Sequence, residues 1–177
     1  MGGAAVLKKF IPNQYVPSVY DIDTEDLQKH GVRTIITDLD NTLVEWDRPE
    51  ATERLLEWLK KLDESGFHVI IVSNNNEKRV QAFASPHGIP FIHSARKPLS
   101  RAFISACRLA GTERREAVVV GDQLLTDILG GNRAGFHTIL VVPVASNDGI
   151  MTKINRRIER RVMKKMKQKG LIEWERE

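Results

Sequence analysis

Asp38 and Asp40 stand two residues apart at the end of an apolar run, with Thr42 two residues further on. In a β-strand, positions i and i+2 face the same side, so both carboxylates leave the strand end close together. Anions held that close at the edge of an apolar sheet repel each other and lose hydration. A divalent cation relieves both costs, and carboxylate oxygens suit Mg²⁺. The same residues also fit a strand that runs into a polar turn. The choice between these readings rests on what else the chain brings to that edge.

Strand-like and helix-like segments alternate along the chain. Residues 34–39, 68–72, 90–93, 117–120 and 137–142 read as strands, mostly continuous apolar runs. Helical patterns lie between them at 50–64, with Leu55, Leu56, Leu59 and Leu62 on one face, and at 77–85, closed by Pro86-His87-Gly88. Two more follow at 99–110, with Pro98 in the first turn, and at 124–134, ending at Gly135. Runs apolar on both faces and separated by helices imply a parallel sheet covered on both sides, a doubly wound α/β domain. Its ligand site belongs beyond the C-terminal strand ends, where strand order reverses. Residues 1–32 form an arm that precedes the first strand, with Asp23 capping a short helix through Leu27 to His30. The core spans 33–145 and a C-terminal helix occupies 146–177.

Each strand end adds a chemical group. Asp38, Asp40 and Thr42 follow the first strand, and Ser73-Asn74-Asn75-Asn76 follow the second. A hydroxyl with free backbone N–H groups at a helix start favours a phosphate oxygen. Arg96 and Lys97 follow the third strand, and Gly121-Asp122 follows the fourth, with Asp127 one short turn later. Singly, these residues are ordinary caps and solvated charges. Together, Asp38, Asp40 and Asp122 surround one Mg²⁺ while Ser73 and Lys97 hold an anionic group opposite, a constellation suited to phosphoryl transfer.

The motifs Asp38-Leu39-Asp40-Asn41-Thr42, Ser73-Asn74, Lys97, and Gly121-Asp122 with Asp127 resemble, in this order, the signatures of the haloacid dehalogenase (HAD) superfamily of phosphohydrolases. Leu7-Lys8-Lys9-Phe10-Ile11-Pro12, the stretch from Asp40 to Asp47, and Arg96-Lys97-Pro98-Leu99 are similar to the YqeG-like group of subfamily IIIA, related to the phosphatidylglycerophosphate phosphatases. The resemblance implies a Rossmann-like fold and residue roles. Asp38 is the nucleophile, forming an aspartyl-phosphate. Asp40 is the general acid and then base, and reaches Mg²⁺ through its backbone carbonyl, which replaces the three-carboxylate cage above. Asp38 and Asp122 supply side-chain ligands. Asp127 orients the metal's waters or Lys97; Ser73, the Asn74 amide and Lys97 hold the phosphoryl group; Thr42 braces the loop. The presence of Asp40 disfavours dehalogenase chemistry. Only 33 positions separate Asp40 from Ser73 and 24 separate Ser73 from Lys97. Each interval is filled by one helix and one strand, which leaves no room for a folded cap. A capless site resembles those of HAD members that act on large or interfacial substrates, or of those that use a partner subunit as a lid.

The 177 residues carry a formal charge of +4, and this conceals an asymmetry. From Lys153 to Lys169 there are nine Lys/Arg and one acid, Glu159, so a segment of charge +8 is attached to a remainder of −4. Ile150, Ile154, Ile158, Val162 and Met166 recur every four residues among those cations, an amphipathic pattern. Three uses follow: docking on the domain itself, adsorption to an anionic membrane, or RNA or ribosome contact through 153–169. No aromatic residue lies among the cations, which disfavours base stacking, and Trp174 follows at an interface or in the core. No apolar run reaches the roughly 20 residues of a membrane span, and the N-terminal apolar stretch is too short for a signal peptide. The single cysteine, Cys107, reads as core and fits a reducing cytosol. The expectation is a cytoplasmic Mg²⁺-dependent phosphatase, peripheral on the inner membrane face, acting on a lipid phosphate such as phosphatidylglycerophosphate. The alternatives are an RNA- or ribosome-associated module on the HAD frame, or a phosphatase for a protein or soluble ester.

Overall fold

The apolar runs pair side by side, as their two-sided hydrophobicity requires. The computed structural model describes residues 2–145 and 150–173. Its sheet has six parallel strands: β1 Gln14–Val16, β2 Thr34–Thr37, β3 His68–Val72, β4 Phe91–Ile92, β5 Ala117–Gly121 and β6 His137–Val141. Their order is β1-β6-β5-β2-β3-β4. From β2 the chain winds outward to β3 and β4, then crosses back to β5 on the other side of β2. The crevice between the ends of β2 and β5 is therefore the switch point. Thr37 is level with Ile71 of β3 and Val120 of β5, so Asp38, Ser73 and Asp122 all emerge at one edge.

Alternate strand residues serve opposite layers. Ile35, Ile71, Val118 and Val120 meet Leu55, Trp58 and Leu62 of α3 (Glu53–Glu64) and Val80 and Phe83 of α4 (Glu77–Ala84). Ile36, Ile70 and Val119 meet Phe103, Ala106 and Cys107 of α5 (Arg101–Ala110). Each buried Val, Leu, Ile or Phe among them contributes about 1.5–3 kcal/mol by leaving water. Cys107 is core, as its surroundings in the sequence suggest. The arm opens with helix α1 (Gly2–Lys8), and its helix α2 (Thr24–Lys29) is capped by Asp23, whose carboxylate accepts from the Asp26 amide.

Several elements differ from the pattern read in the sequence. The N-terminal arm supplies an edge strand, β1, beside β6; three half-buried residues leave no alternation to read. Helix α3 starts after Thr52, which caps the Leu55 amide. Its buried stripe is Leu55, Trp58 and Leu62, while Leu56 is exposed. Pro98 does not open α5. Its peptide bond with Lys97 is cis, the Leu99 amide closes a turn on the Arg96 carbonyl, and the helix begins at Arg101. Residues Leu124–Ile128 form a wide π-type turn before α6 (Leu129–Ala134), because Asp127 and Ile128 both donate to the Gln123 carbonyl.

The basic segment folds as α7 (Ile150–Gln168), and its buried face is not the isoleucine stripe. A four-residue repeat drifts about 40° per step around a helix of 3.6 residues per turn. Ile154 and Ile158 are accordingly 48% and 42% exposed, whereas Glu159 and Met166 are buried and Asn155, Arg156, Val162 and Met163 half-buried. Met166 and Ile172 join Leu124, Ile128 and Leu140 in a third apolar cluster, with Val162, Met163 and the arm's Leu7, Phe10 and Ile11 around it. Eight of the nine Lys/Arg between 153 and 169 remain exposed; Arg156 is the exception. The Ile150 side chain and Trp174 lie outside the described residues. Among the described residues, no helix is long and apolar enough to cross a membrane.

Candidate active site

Extension of β2 by one residue, with the Asp38 amide donating to the Val120 carbonyl at 3.0 Å, delivers the Asp38 carboxylate to the crevice. The chain then folds back sharply. Asn41 takes a left-handed conformation (φ 61°), its amide donates to Val44 at 2.6 Å, and its side-chain oxygen accepts from the Trp46 amide at 3.2 Å. Asparagine tolerates this conformation better than most residues. Thr42 is thereby turned inward, and its hydroxyl donates to Asp122 Oδ1 at 2.9 Å.

Lys97 joins the acids. Its Nζ lies 2.9 Å from Asp38 Oδ1 and 2.7 Å from Asp127 Oδ1, with all three side chains buried. The turn that aims it is gripped by Asn74, whose Oδ1 accepts from the Lys97 amide at 2.7 Å and whose Nδ2 donates to the Lys97 carbonyl at 3.3 Å. Asp127 Oδ2 accepts from the Gln123 amide at 3.2 Å. Gly121 makes room for this: a Cβ there would sit 2.2 Å from Asp127 Cγ. Ser73 is buried, its amide donating to Ile92 and its hydroxyl accepting from the Asn75 amide at 3.1 Å.

Oxygens of Asp38, Asp122 and Asp127 lie within 4.8 Å of one another. The Asp40 carboxylate stands apart from this triad. Arg79 donates to its Oδ1 through Nε at 3.1 Å and Nη2 at 2.9 Å, and Asn75 Nδ2 donates to its Oδ2 at 2.8 Å. From the other side, α7 reaches Asp122. Arg156 pairs with Asp122 Oδ2, donates to the Asp122 carbonyl at 2.7 Å and lies 3.4 Å from Glu159. Glu159 accepts from the Leu125 amide at 3.1 Å, and Asn155 donates to Gln123 at 3.3 Å.

The electrostatics follow from burial. Loss of water pushes the Asp38 carboxyl up to about 8; Lys97 opposes the rise, and Asp127 and Asp122 add to it. Asp127 is raised for the same leading reason, with Lys97 again opposing and Asp122 adding. Burial works against the Lys97 ammonium, but Asp127 and Asp38 outweigh it and hold it above the ordinary lysine range. Three buried carboxylates faced by Lys97 and Arg156 are short of positive charge. An all-oxygen set of this kind fits Mg²⁺.

The structure thus gathers Asp38, Thr42, Lys97, Asp122 and Asp127 into one cluster, sets Asp40 beside it, ties Asn74 to it through Lys97, and buries Ser73 next to Asn74 at the end of β3. Sequence reasoning missed Asn75, Arg79, Arg156 and Glu159. The run Ser73-Asn74-Asn75-Asn76 holds one signal, since its four residues do four different jobs; Asn76 caps α4. Glu159 held another, as the lone acid among nine cations.

Residues 18–135 match the family model described as haloacid dehalogenase-like hydrolase. The chain is 57% identical over 171 residues to "Probable phosphatase YqeG" of Bacillus subtilis (strain 168), covering 96% of this chain and 99% of that protein. It is 27% identical over 172 residues to the phosphatidylglycerophosphate phosphatase 1, chloroplastic/mitochondrial, of Arabidopsis thaliana, covering 91% of this chain but 49% of that one. In fold it is similar to the cobalt-bound deoxy-D-mannose-octulosonate 8-phosphate phosphatase of Haemophilus influenzae, with a TM-score of 0.54, 18% identity, and 71% and 75% of the two chains covered. With its motif residues gathered at the switch point of a parallel sheet and its family model spanning most of the core, this chain belongs to the haloacid dehalogenase-like hydrolases.

Proposed function

We propose that this hydrolase is a Mg²⁺-dependent phosphomonoesterase that works through an aspartyl-phosphate. The observation that carries the reading is the ammonium of Lys97 bridging Asp38 and Asp127 beside Asp122. The Asp38 and Asp122 side chains and the Asp40 carbonyl would hold Mg²⁺, which when bound offsets charge on the phosphoryl oxygens and keeps Asp38 ionised. Lys97, Ser73 and the Asn74 amide hold the phosphoryl group. Asp38 forms a bond to phosphorus while the ester P–O bond breaks, and Asp40 gives its proton to the departing alcohol. Asp40 then takes a proton from water, whose oxygen attacks phosphorus. The Asp38–phosphate bond breaks, phosphate leaves, and Asp40 is protonated again. Thr42 and Asp127 fix Asp122 and Lys97.

The substrate we assign is a phosphorylated lipid of the phosphatidylglycerophosphate type, met at an anionic membrane on the cytoplasmic side. Three features support it. The intervals between motifs hold α3 with β3, and α4, a short 3-10 turn (Ser85–His87) and β4, with no cap domain inserted. The outward face of α7 carries Ile154 and Ile158 among Lys153, Arg157 and Arg161, a surface suited to anionic headgroups. A relative over most of this chain's length is named for that phosphatase activity. The test compares phosphate release from phosphatidylglycerophosphate in anionic vesicles with release from soluble sugar and nucleotide phosphates, for wild type and Asp38→Asn. Faster turnover on vesicles, lost in Asp38→Asn, is expected. Equal turnover on soluble esters removes the lipid assignment, and full turnover by Asp38→Asn removes the covalent route. Salt-sensitive RNA binding that survives Asp38→Asn, with no lipid phosphate hydrolysed, would favour a nucleic-acid role for α7.

A further inference from the structure

Asp40 is the only motif acid outside the Asp38–Asp122–Asp127 group, and its carboxylate is held in a clamp of its own. Arg79 places two N–H groups on Oδ1, at 3.1 and 2.9 Å, and Asn75 places one on Oδ2 at 2.8 Å. The guanidinium pins Oδ1 with two charge-assisted bonds and the amide holds Oδ2, so both carboxylate oxygens are fixed in place. The clamp is itself anchored. Asn75 accepts from the Ser94 amide at 2.8 Å through its carbonyl, and its Oδ1 accepts from the Asn76 amide at 2.8 Å. Arg79 rides on α4 one turn beyond Asn75, and its Nη2 also reaches the Glu45 carbonyl at 3.4 Å. Asp40 and Arg79 are 18% and 15% exposed, so the pair is largely buried yet still reached by solvent, unlike the fully enclosed Lys97 and Asp127.

We infer that Arg79 and Asn75 are positioning residues that aim the Asp40 carboxyl at the leaving oxygen; the inference rests on the acid role given to Asp40 above. A nitrophenolate departs without a proton, whereas an alkoxide needs one. Misplacing the acid therefore slows alkyl phosphates selectively, and a displacement near 1 Å costs roughly 10²-fold. A role in folding alone lowers turnover of both ester types equally.

The test measures kcat for β-glycerol phosphate and p-nitrophenyl phosphate in wild type, Asp40→Asn, Arg79→Gln, Arg79→Lys and Asn75→Ala, with thermal melts of each. Arg79→Gln should lose about 10²-fold on the alkyl ester and less than about tenfold on the aryl ester. Asn75→Ala should shift in the same sense, and Arg79→Lys should recover part of the loss. Selective loss in Asp40→Asn with equal losses in Arg79→Gln and Asn75→Ala overturns the inference alone. Equal losses in Asp40→Asn overturn the acid role and the inference with it. Should Arg79→Gln fail to fold, Asn75→Ala decides by the same comparison.

Discussion

Arg156 of α7 is paired with Asp122, a buried acid at the end of β5, so the basic C-terminal helix is built into the acidic corner of the site. The residues that fix the helix there are polar at one end (Asn155, Arg156, Glu159) and apolar at the other (Met166, with Ile172 beyond it). One helix thus shows the domain a single cation, Arg156, among neutral and acidic side chains and shows solvent the other eight Lys/Arg between 153 and 169.

Loss of that pair leaves Asp122 buried without its guanidinium. Removing one partner of a buried ion pair costs about 3 kcal/mol or more. Arg156→Gln should therefore lower the melting temperature in EDTA. Mg²⁺ held as proposed would supply positive charge to the same carboxylate, so it should raise the melting temperature more in the variant than in wild type. Equal Mg²⁺ shifts in the two proteins would separate Arg156 from the metal corner.

Stability of the metal-free protein should fall as pH rises from about 4 towards 8. The sign follows from linkage. Asp38 is raised from its unfolded value near 3.8 to about 8 in the fold, chiefly by burial, so between those values the folded state binds more protons than the unfolded one. Asp127, raised for the same reason, acts in the same direction. Lys97, raised above its unfolded value, loses its contribution only at alkaline pH beyond this window. Urea unfolding in EDTA from pH 5 to 8 checks the slope, and added Mg²⁺ should flatten it. A rise in stability with pH in EDTA would contradict the charge balance described for the site.

The fold was legible because its strands are buried on both faces and its helices punctuated by Gly66, Gly111 and Gly135. The site was legible as far as the sheet alone positions it, since register places Asp38, Ser73 and Asp122 at one edge. It was not legible where side chains meet across elements. Arg79 looks like any exposed helix cation until the Asp40 loop is seen to fold against it. Arg156 is one of nine cations until the drift of a four-residue repeat turns Ile154 outward and Glu159 inward. The cap of Leu55 by Thr52 and the turn at Lys97–Pro98 depend on side-chain hydrogen bonds that periodicity does not encode.

Lys97→Met removes the ammonium from between two carboxylates. Asp38 and Asp127 then stand buried and unpaired, at a cost of about 3–5 kcal/mol. Turnover should fall by roughly 10²–10³-fold, the usual loss for one electrostatic group at a transferring centre. Denaturant titration and phosphate release at saturating substrate measure the two effects. A stable variant with wild-type turnover would leave the Lys97 bridge without function.

Gly121→Ala tests how tightly the acidic corner is built. The added methyl would lie 2.2 Å from Asp127 Cγ and 2.3 Å from its Oδ2, so either β5 or Asp127 must move. Overpacking of this kind costs about 1–3 kcal/mol. The displacement falls on the carboxylate that shares Lys97 with Asp38, so turnover should drop more than the stability loss alone explains. Gly131→Ala supplies the comparison, because its methyl would meet the Thr138 side chain at 2.6 Å, on the sheet beneath α6 rather than at the acids. If both variants lose stability but keep the same turnover per folded molecule, Asp127 does not govern the Lys97 position.

Neutralising the outward face of α7 separates its role at a surface from its role at the site. Arg157 and Arg161 are exposed beside Ile154 and Ile158, on the side of the helix turned away from Glu159 and Met166. Each cation near an anionic bilayer contributes about 1 kcal/mol. Changing both to Gln should weaken vesicle binding by roughly 30-fold. The same change should lower the ratio of vesicle to soluble-ester turnover and make vesicle binding less sensitive to salt. Ile154→Ser with Ile158→Ser should weaken binding as well but leave its salt dependence in place, because the apolar contribution is not screened. Vesicle sedimentation across a salt series distinguishes the two pairs. Binding that ignores all four substitutions would assign the exposed face of α7 to something other than a membrane.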